Sequence, residues 1–104
     1  MQALKNLLEK GFYYHYKRNP DIEFDHAYEV VGIARHTEDE SLTVLYRPLY
    51  ETNFIDPANF LIRPLEMFMG EVTVEGKTMK RFQKITDFKI ISKLDKVKNQ
   101  MYGV

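Results

Sequence analysis

Three histidines, two serines and a set of arginines beside strand-like segments are the groups in this chain with the means to do chemistry. His15, His26 and His36 stand at no recognised metal spacing from one another or from a carboxylate, such as the i, i+4 pair of a zinc helix. Ser41 lies in an acidic turn and Ser92 in a lysine-rich segment, and neither has a histidine base nearby in sequence. There is no cysteine, no glycine-rich phosphate loop and no G-x-S-x-G elbow. An acid–base pair built from His36 with Glu38 or Tyr46 is the enzymatic alternative; the plainer reading leaves His36 and Glu38 as surface residues at a hairpin end. The arginines are more suggestive. Arg35-His36, Arg47-Pro48 and Arg63-Pro64 each fall near the end of a strand-like run. Antiparallel neighbours could bring two guanidiniums together, and such a pair beside a tyrosine suits a carboxylate or a phosphate. His36, Arg47, Tyr50 and Arg63 are therefore the candidate ligand-binding residues. The same arginines could instead bridge Glu38, Glu66 or Glu71, or stack on Tyr46 and Tyr50.

The elements that must position these groups begin with residues 42–50, LTVLYRPLY. Leu42, Val44 and Tyr46 form one apolar alternate set; Thr43, Leu45 and Arg47 form a mixed one. That is a strand with one face in a core and one open face carrying Arg47. Residues 27–36 form its partner across the polar connection 37–41, with Gly32 marking a bulge or a close backbone approach. A strand at 12–18 precedes the turn signal Asn19-Pro20-Asp21, and 22–26 reads as loop. Residues 51–58 read as loop, 59–63 as a short strand, and PLEMF as one helical turn with Leu65 and Phe68 inward. The clearest local hairpin runs 71–75, then Gly76-Lys77, then 78–85. A helix is expected over 2–10, capped by Gly11. Another is expected over 86–102, with Ile90, Leu94, Val97 and Met101 on one face; a strand at 88–92 competes with it. The order is mainly β: about five antiparallel strands in a small, partly open barrel or roll, flanked by short terminal helices.

With 104 residues the chain has the size of one domain, the β part at about 12–85 and a C-terminal helical segment at about 86–102. Lys plus Arg equal Asp plus Glu at 15 each, which argues against general nucleic-acid binding. Lys5, Glu9 and Lys10 break the apolar residues at the N-terminus, so no signal peptide is read there, and no apolar run reaches membrane-spanning length. A cytoplasmic protein without a cofactor, metal or membrane partner is the expectation. Seven tyrosines and seven phenylalanines suit a small β core and also an interface or shallow pocket.

The segments HYK at 15–17, YEVVGIARHTE at 28–38, VLYRPLY at 44–50, IRPLEMF at 62–68 and EGKTMKRF at 75–82 together resemble a family of small bacterial proteins, domain of unknown function 1653. The resemblance spans about residues 12–82. It implies an SH3-like barrel or roll and carries no catalytic residues with it. The leading functional expectation is a non-enzymatic binding module with an Arg/Tyr/His-lined face for an anionic small molecule or a protein partner. A small enzyme or nucleotide-handling protein using His36 is one alternative. A structural subunit, with its terminal helices docked between copies in a homo-oligomer, is the other.

Overall fold

The computed structural model describes residues 8–50 and 60–103. Five strands make one antiparallel sheet: β1 (Gly11–His15), β2 (Ala27–Arg35), β3 (Leu42–Pro48), β4 (Leu61–Pro64) and β7 (Phe82–Lys84), in the order β4-β3-β2-β1-β7. A separate ribbon pairs β5 (Glu71–Val74) with β6 (Lys77–Lys80). One short helix, α1 (Leu65–Met69), follows β4, and a long one, α2 (Phe88–Tyr102), ends the described chain. β4 and β7 are the two edges, so the sheet is open and the closed barrel is not formed.

The β2–β3 hairpin is the centre, as its patterning requires. Val30 faces Tyr46 and Ile33 faces Val44, with a register shift between Val30 and Gly32. Val31 is the extra residue of a bulge there, and Gly32, paired with Leu45, follows it. Gly32 is no close approach, because a Cβ added there would meet nothing within 4 Å.

Both faces of the sheet are covered. Tyr13, Tyr28, Val30, Val44 and Tyr46 pack on one face with Leu65, Phe68 and Phe82. The rings of Phe68 and Phe82 stack at 3.9 Å, and Tyr13 and Tyr46 meet Phe68 edge-on. α1 exists to deliver Leu65 and Phe68 to this core. Pro64 opens it, and a proline there gives up no helical N–H bond. The other face buries Phe12, Ala27, Leu49 and Ile85 under Leu94 of α2. Asp87 caps α2 by accepting a hydrogen bond from the Lys89 N–H, and Gly103 ends it at φ 78°.

Two expectations change. The hairpin that begins at Glu71 does not run on to Ile85. It breaks at Arg81, whose N–H bonds the Gly70 carbonyl while its own carbonyl accepts from the Tyr16 N–H. Phe82–Lys84 then joins the edge of β1, because the Phe82 ring has a core to fill there. The mixed face of β3 is not open either, since α2 lies across it. Residues 88–92 are helix, with Ile90, Ile91, Leu94, Val97 and Tyr102 turned to the sheet and Met101 exposed. The expected N-terminal helix and the loop 51–58 lie mostly outside the described residues; residues 8–10 are not helical.

Candidate anion site

The four candidate residues do not converge. His36 sits at the tip of the β2–β3 hairpin with its side chain 44% exposed. Its Nδ1 accepts from the Glu38 N–H at 3.1 Å, and Asp39 Oδ1 is 3.6 Å away. Arg47 lies on the α2 face. Its Nε donates to Glu29 Oε1 at 2.7 Å, and its guanidinium lies 4.1 Å from the Tyr102 ring centroid. Arg63 is registered with Val44, which puts it on the opposite face from Arg47. The two guanidiniums are thus separated by the sheet. Arg63 and Tyr50, however, belong to one cluster.

That cluster forms where β1 and β2 are joined. Residues 16–26 turn tightly: Asn19 Oδ1 accepts from the Asp21 N–H, and Asp25 Oδ2 from the Asn19 N–H. Phe24 and His26 both take left-handed φ, at 62° and 55°. Histidine tolerates that region better than most residues. The outcome is that the His15 N–H bonds the His26 carbonyl, and the two imidazoles lie 5.7 Å apart. His26 stacks on Tyr50 at 5.3 Å, and the Tyr50 hydroxyl lies 2.6 Å from that of Tyr28. Tyr28 meets Tyr46 edge-on. Arg63 Nε donates to the Tyr46 hydroxyl at 3.2 Å, and the guanidinium lies over Phe82. Phe82 meets His15 edge-on at 4.9 Å, closing a ring of aromatic and cationic side chains.

Hydrogen-bond accounting shows what this ring offers. His15 Nδ1 accepts from the Lys17 N–H at 3.2 Å, so in the neutral ring the proton sits on Nε2. Burial pushes the His15 pKa down to about 4, helped by the positive charges of Arg63, Lys17 and Arg81 and by the neighbouring His26 ring. His15 is therefore neutral near pH 7, with Nε2–H as a donor. Whichever of Tyr28 and Tyr50 donates in their mutual bond, one hydroxyl proton is left over. Tyr46 accepts from Arg63 and keeps its own proton to give. Burial raises the pKa of both Tyr28 and Tyr50, so these hydroxyls stay protonated. Two buried nitrogens, Arg81 Nε and His26 Nδ1, have no hydrogen-bond partner among the described residues. His26 Nδ1 lies only 3.0 Å from Asp25 Oδ1, but the contact is off-axis and is not a directed bond. Donors outnumber acceptors, and Asp25 is the carboxylate at hand.

Sequence reasoning missed His15, His26, Tyr28 and Arg81 as a group. The HYK segment was visible, but the turn that folds His26 back on His15 depends on two positive φ angles. Concavities exist elsewhere: one of about 660 Å³ beside Val30, Ile33 and Leu42, and one of about 690 Å³ beside Leu42, Leu65 and Met69. Their walls are largely apolar, with Glu9, Lys10 and Arg35 at the first and Ser41 and Glu66 at the second, so the case for the cluster rests on its chemistry and not on volume. No three His, Asp or Glu side chains among the described residues are placed to hold a metal ion. No helix among them is long and apolar enough to cross a membrane.

An open antiparallel sheet with a helix on one face and a donor-lined aromatic cluster on the other defines a small, mainly β protein. The chain belongs to the family described as "Protein of unknown function (DUF1653)", whose model matches residues 11–84. A crystal structure of a protein of that family from Bordetella bronchiseptica is similar in fold, with a TM-score of 0.63 at 24% identity. The likeness covers 82% of this chain and 99% of that one. No curated protein matches the chain. α2 lies beyond the span that the family model matches.

Proposed function

We propose that this protein is a non-enzymatic binding module whose ligand is a small anion seated at the ring formed by His15, His26, Tyr28, Tyr46, Tyr50 and Arg63. The observation that carries the reading is the surplus of donors: Arg63, two spare tyrosine protons and the His15 Nε2–H belong to one linked cluster of side chains with a single nearby carboxylate. Charge-assisted bonds from guanidinium to oxyanion are the strong kind, and burial strengthens them. An SH3-like roll in an open form is the fold this reading assumes. Such folds host many functions, so the argument stands on the cluster. Arg47 and His36 fall outside the site: Arg47 is committed to Glu29 and α2, and His36 to the hairpin tip.

A thermal-shift series with sulfate, phosphate, formate and short nucleotides tests it. A ligand at a hundredfold excess over its Kd stabilises by about 2.7 kcal/mol, a Tm rise on the order of 10 °C for a domain of this size. The readout is the ligand-induced shift in each variant, not its starting Tm. Arg63→Gln and Tyr50→Phe should lose most of that shift while His36→Gln keeps it. If every anion leaves the wild-type Tm unchanged, or if Arg63→Gln responds as the wild type does, the site is not there.

A further inference from the structure

The charged groups that face His15 come from several elements. Arg63 stands on β4, Arg81 immediately before β7, Lys17 just after β1 and His26 just before β2. Asp25, beside His26, supplies the negative charge of the group. The Tyr28 and Tyr50 hydroxyls are uncharged near neutrality. On the β6–β7 side a groove of about 180 Å³ opens along His15, with Arg18, Lys80 and Gln83 in its wall. The Arg18 guanidinium is held 3.8 Å over the Tyr14 ring. Fixed positive charge thus exceeds fixed negative charge around an imidazole whose residue is only 9% exposed.

We infer that the site takes a dianionic tetrahedral oxyanion, a phosphoryl or sulfuryl group, and that His15 takes up a proton as the anion binds. The inference rests on the anion-site reading above. Charge balance favours a dianion: Arg63, Arg81 and Lys17 against Asp25 leave an excess that one carboxylate would not neutralise. Directionality favours a tetrahedral group. The spare donors come from β1, β3, β4 and the chain beyond β3, a spread of directions that a planar carboxylate matches poorly.

The proton coupling follows from what keeps His15 neutral. Burial, like charge and the Lys17 N–H held on Nδ1 all disfavour the imidazolium in the free protein; a dianion beside the ring reverses the like-charge effect, and the proton taken up goes to Nδ1 as the Lys17 N–H bond there is given up. Binding then raises the His15 pKa. A group whose pKa rises on binding takes up a proton, so affinity strengthens as pH falls. If the anion restores His15 from about 4 to its ordinary value near 6.5, Kd tightens about thirtyfold between about pH 7.5 and about pH 5.

The experiment is calorimetric titration of the full chain with sodium sulfate across that pH range at fixed ionic strength. Sulfate stays dianionic throughout, so any pH dependence belongs to the protein. Buffers of different ionisation enthalpy report proton uptake directly. Formate serves as the planar monoanion. Sulfate affinity should climb tenfold or more toward acid with net proton uptake, and His15→Gln should flatten the profile. Because His15 is buried and its replacement also perturbs the fold, the wild-type His15 ring-proton resonance is followed by NMR as well, free and sulfate-saturated. Its midpoint should move upward with sulfate. Sulfate binding that is flat with pH, with an unmoved His15 midpoint, overturns the coupling and leaves the anion site standing. Formate binding as tightly as sulfate overturns the dianion assignment. No sulfate binding at any pH overturns both this inference and the site itself.

Discussion

Replacing Arg47 with alanine should weaken the fold without touching the anion cluster. Arg47 and Glu29 form an ion pair whose side chains are 18% and 17% exposed, with Nε–Oε1 at 2.7 Å. Lys98 Nζ is the next cation to Glu29, at 3.8 Å. The guanidinium also lies 4.1 Å from the Tyr102 ring centroid, and the Tyr102 hydroxyl donates to the Pro48 carbonyl. Arg47 therefore ties the last turn of α2 to β3. Truncating one member of a largely buried pair costs about 3 to 5 kcal/mol, and Lys98 offsets part of that by remaining near Glu29. Losing the cation–π contact adds about 0.5 to 1 kcal/mol. A net loss of about 3 kcal/mol is the expectation, which moves a urea midpoint by about 2 M at an m-value of about 1.5 kcal/mol/M. A double-mutant cycle with Glu29→Gln isolates the pair, and the coupling should be about 1.5 to 3 kcal/mol. A coupling under about 0.5 kcal/mol would place the pair with exposed surface bridges and refute the argument that it anchors α2.

Four other outcomes are expected. Phe68→Ala removes a fully buried ring stacked on Phe82 and should cost about 3 to 5 kcal/mol, read as a fall in Tm or a chain that no longer unfolds cooperatively. Asp87→Ala deletes the cap of α2 and should cost about 1 kcal/mol by urea titration. Glu75 sits at φ 51° before Gly76 at φ 80°, a turn geometry that favours asparagine at the first position, so Glu75→Asn should raise stability by about 0.5 to 1 kcal/mol. Stability should also fall from about pH 6.5 toward pH 4 in anion-free buffer. His15 has a depressed folded pKa, so the unfolded chain binds the extra proton in that window. The stabilisation is full above the unfolded value and is lost as pH falls through the folded one. The shift bounds the effect at about 3 kcal/mol, and His15→Gln should remove it from the urea midpoint profile.

The central hairpin was legible because alternation on β2 and β3 and the polar connection between them are local signals. So were α1, opened by Pro64, and α2, whose Ile90, Leu94 and Val97 repeat at helical spacing. Strand partnership across long distances was not. Nothing near Arg81 announces that the chain leaves β6 there, since the cause is a core vacancy filled by Phe82 from β1 outward. The β3 face carrying Arg47 read as open because period-2 patterning reports polarity and not what packs above it. The arginines at successive strand ends were correctly seen as a recurrence. Whether two strand residues share a face is decided by register, and the pairing of Val44 with Arg63 sends Arg63 away from Arg47. Of the candidate site, Tyr50 and Arg63 were visible; the histidine pair required knowledge of two backbone angles.

The edge pairing of β1 with β7 carries a consequence for how the chain is made. Tyr13 is registered with Lys84, and His15 with Phe82, near opposite ends of the sequence. The β2–β3 hairpin can form as soon as it leaves the ribosome, since its contacts are local. The aromatic core cannot be completed until Phe82 has emerged, nor can His15 acquire its burial. A nascent chain stopped short of that point would carry an exposed Phe68 face and an unpaired β1 edge, both invitations to aggregation. Assembly of the aromatic core and of the cluster thus waits on one and the same strand, β7.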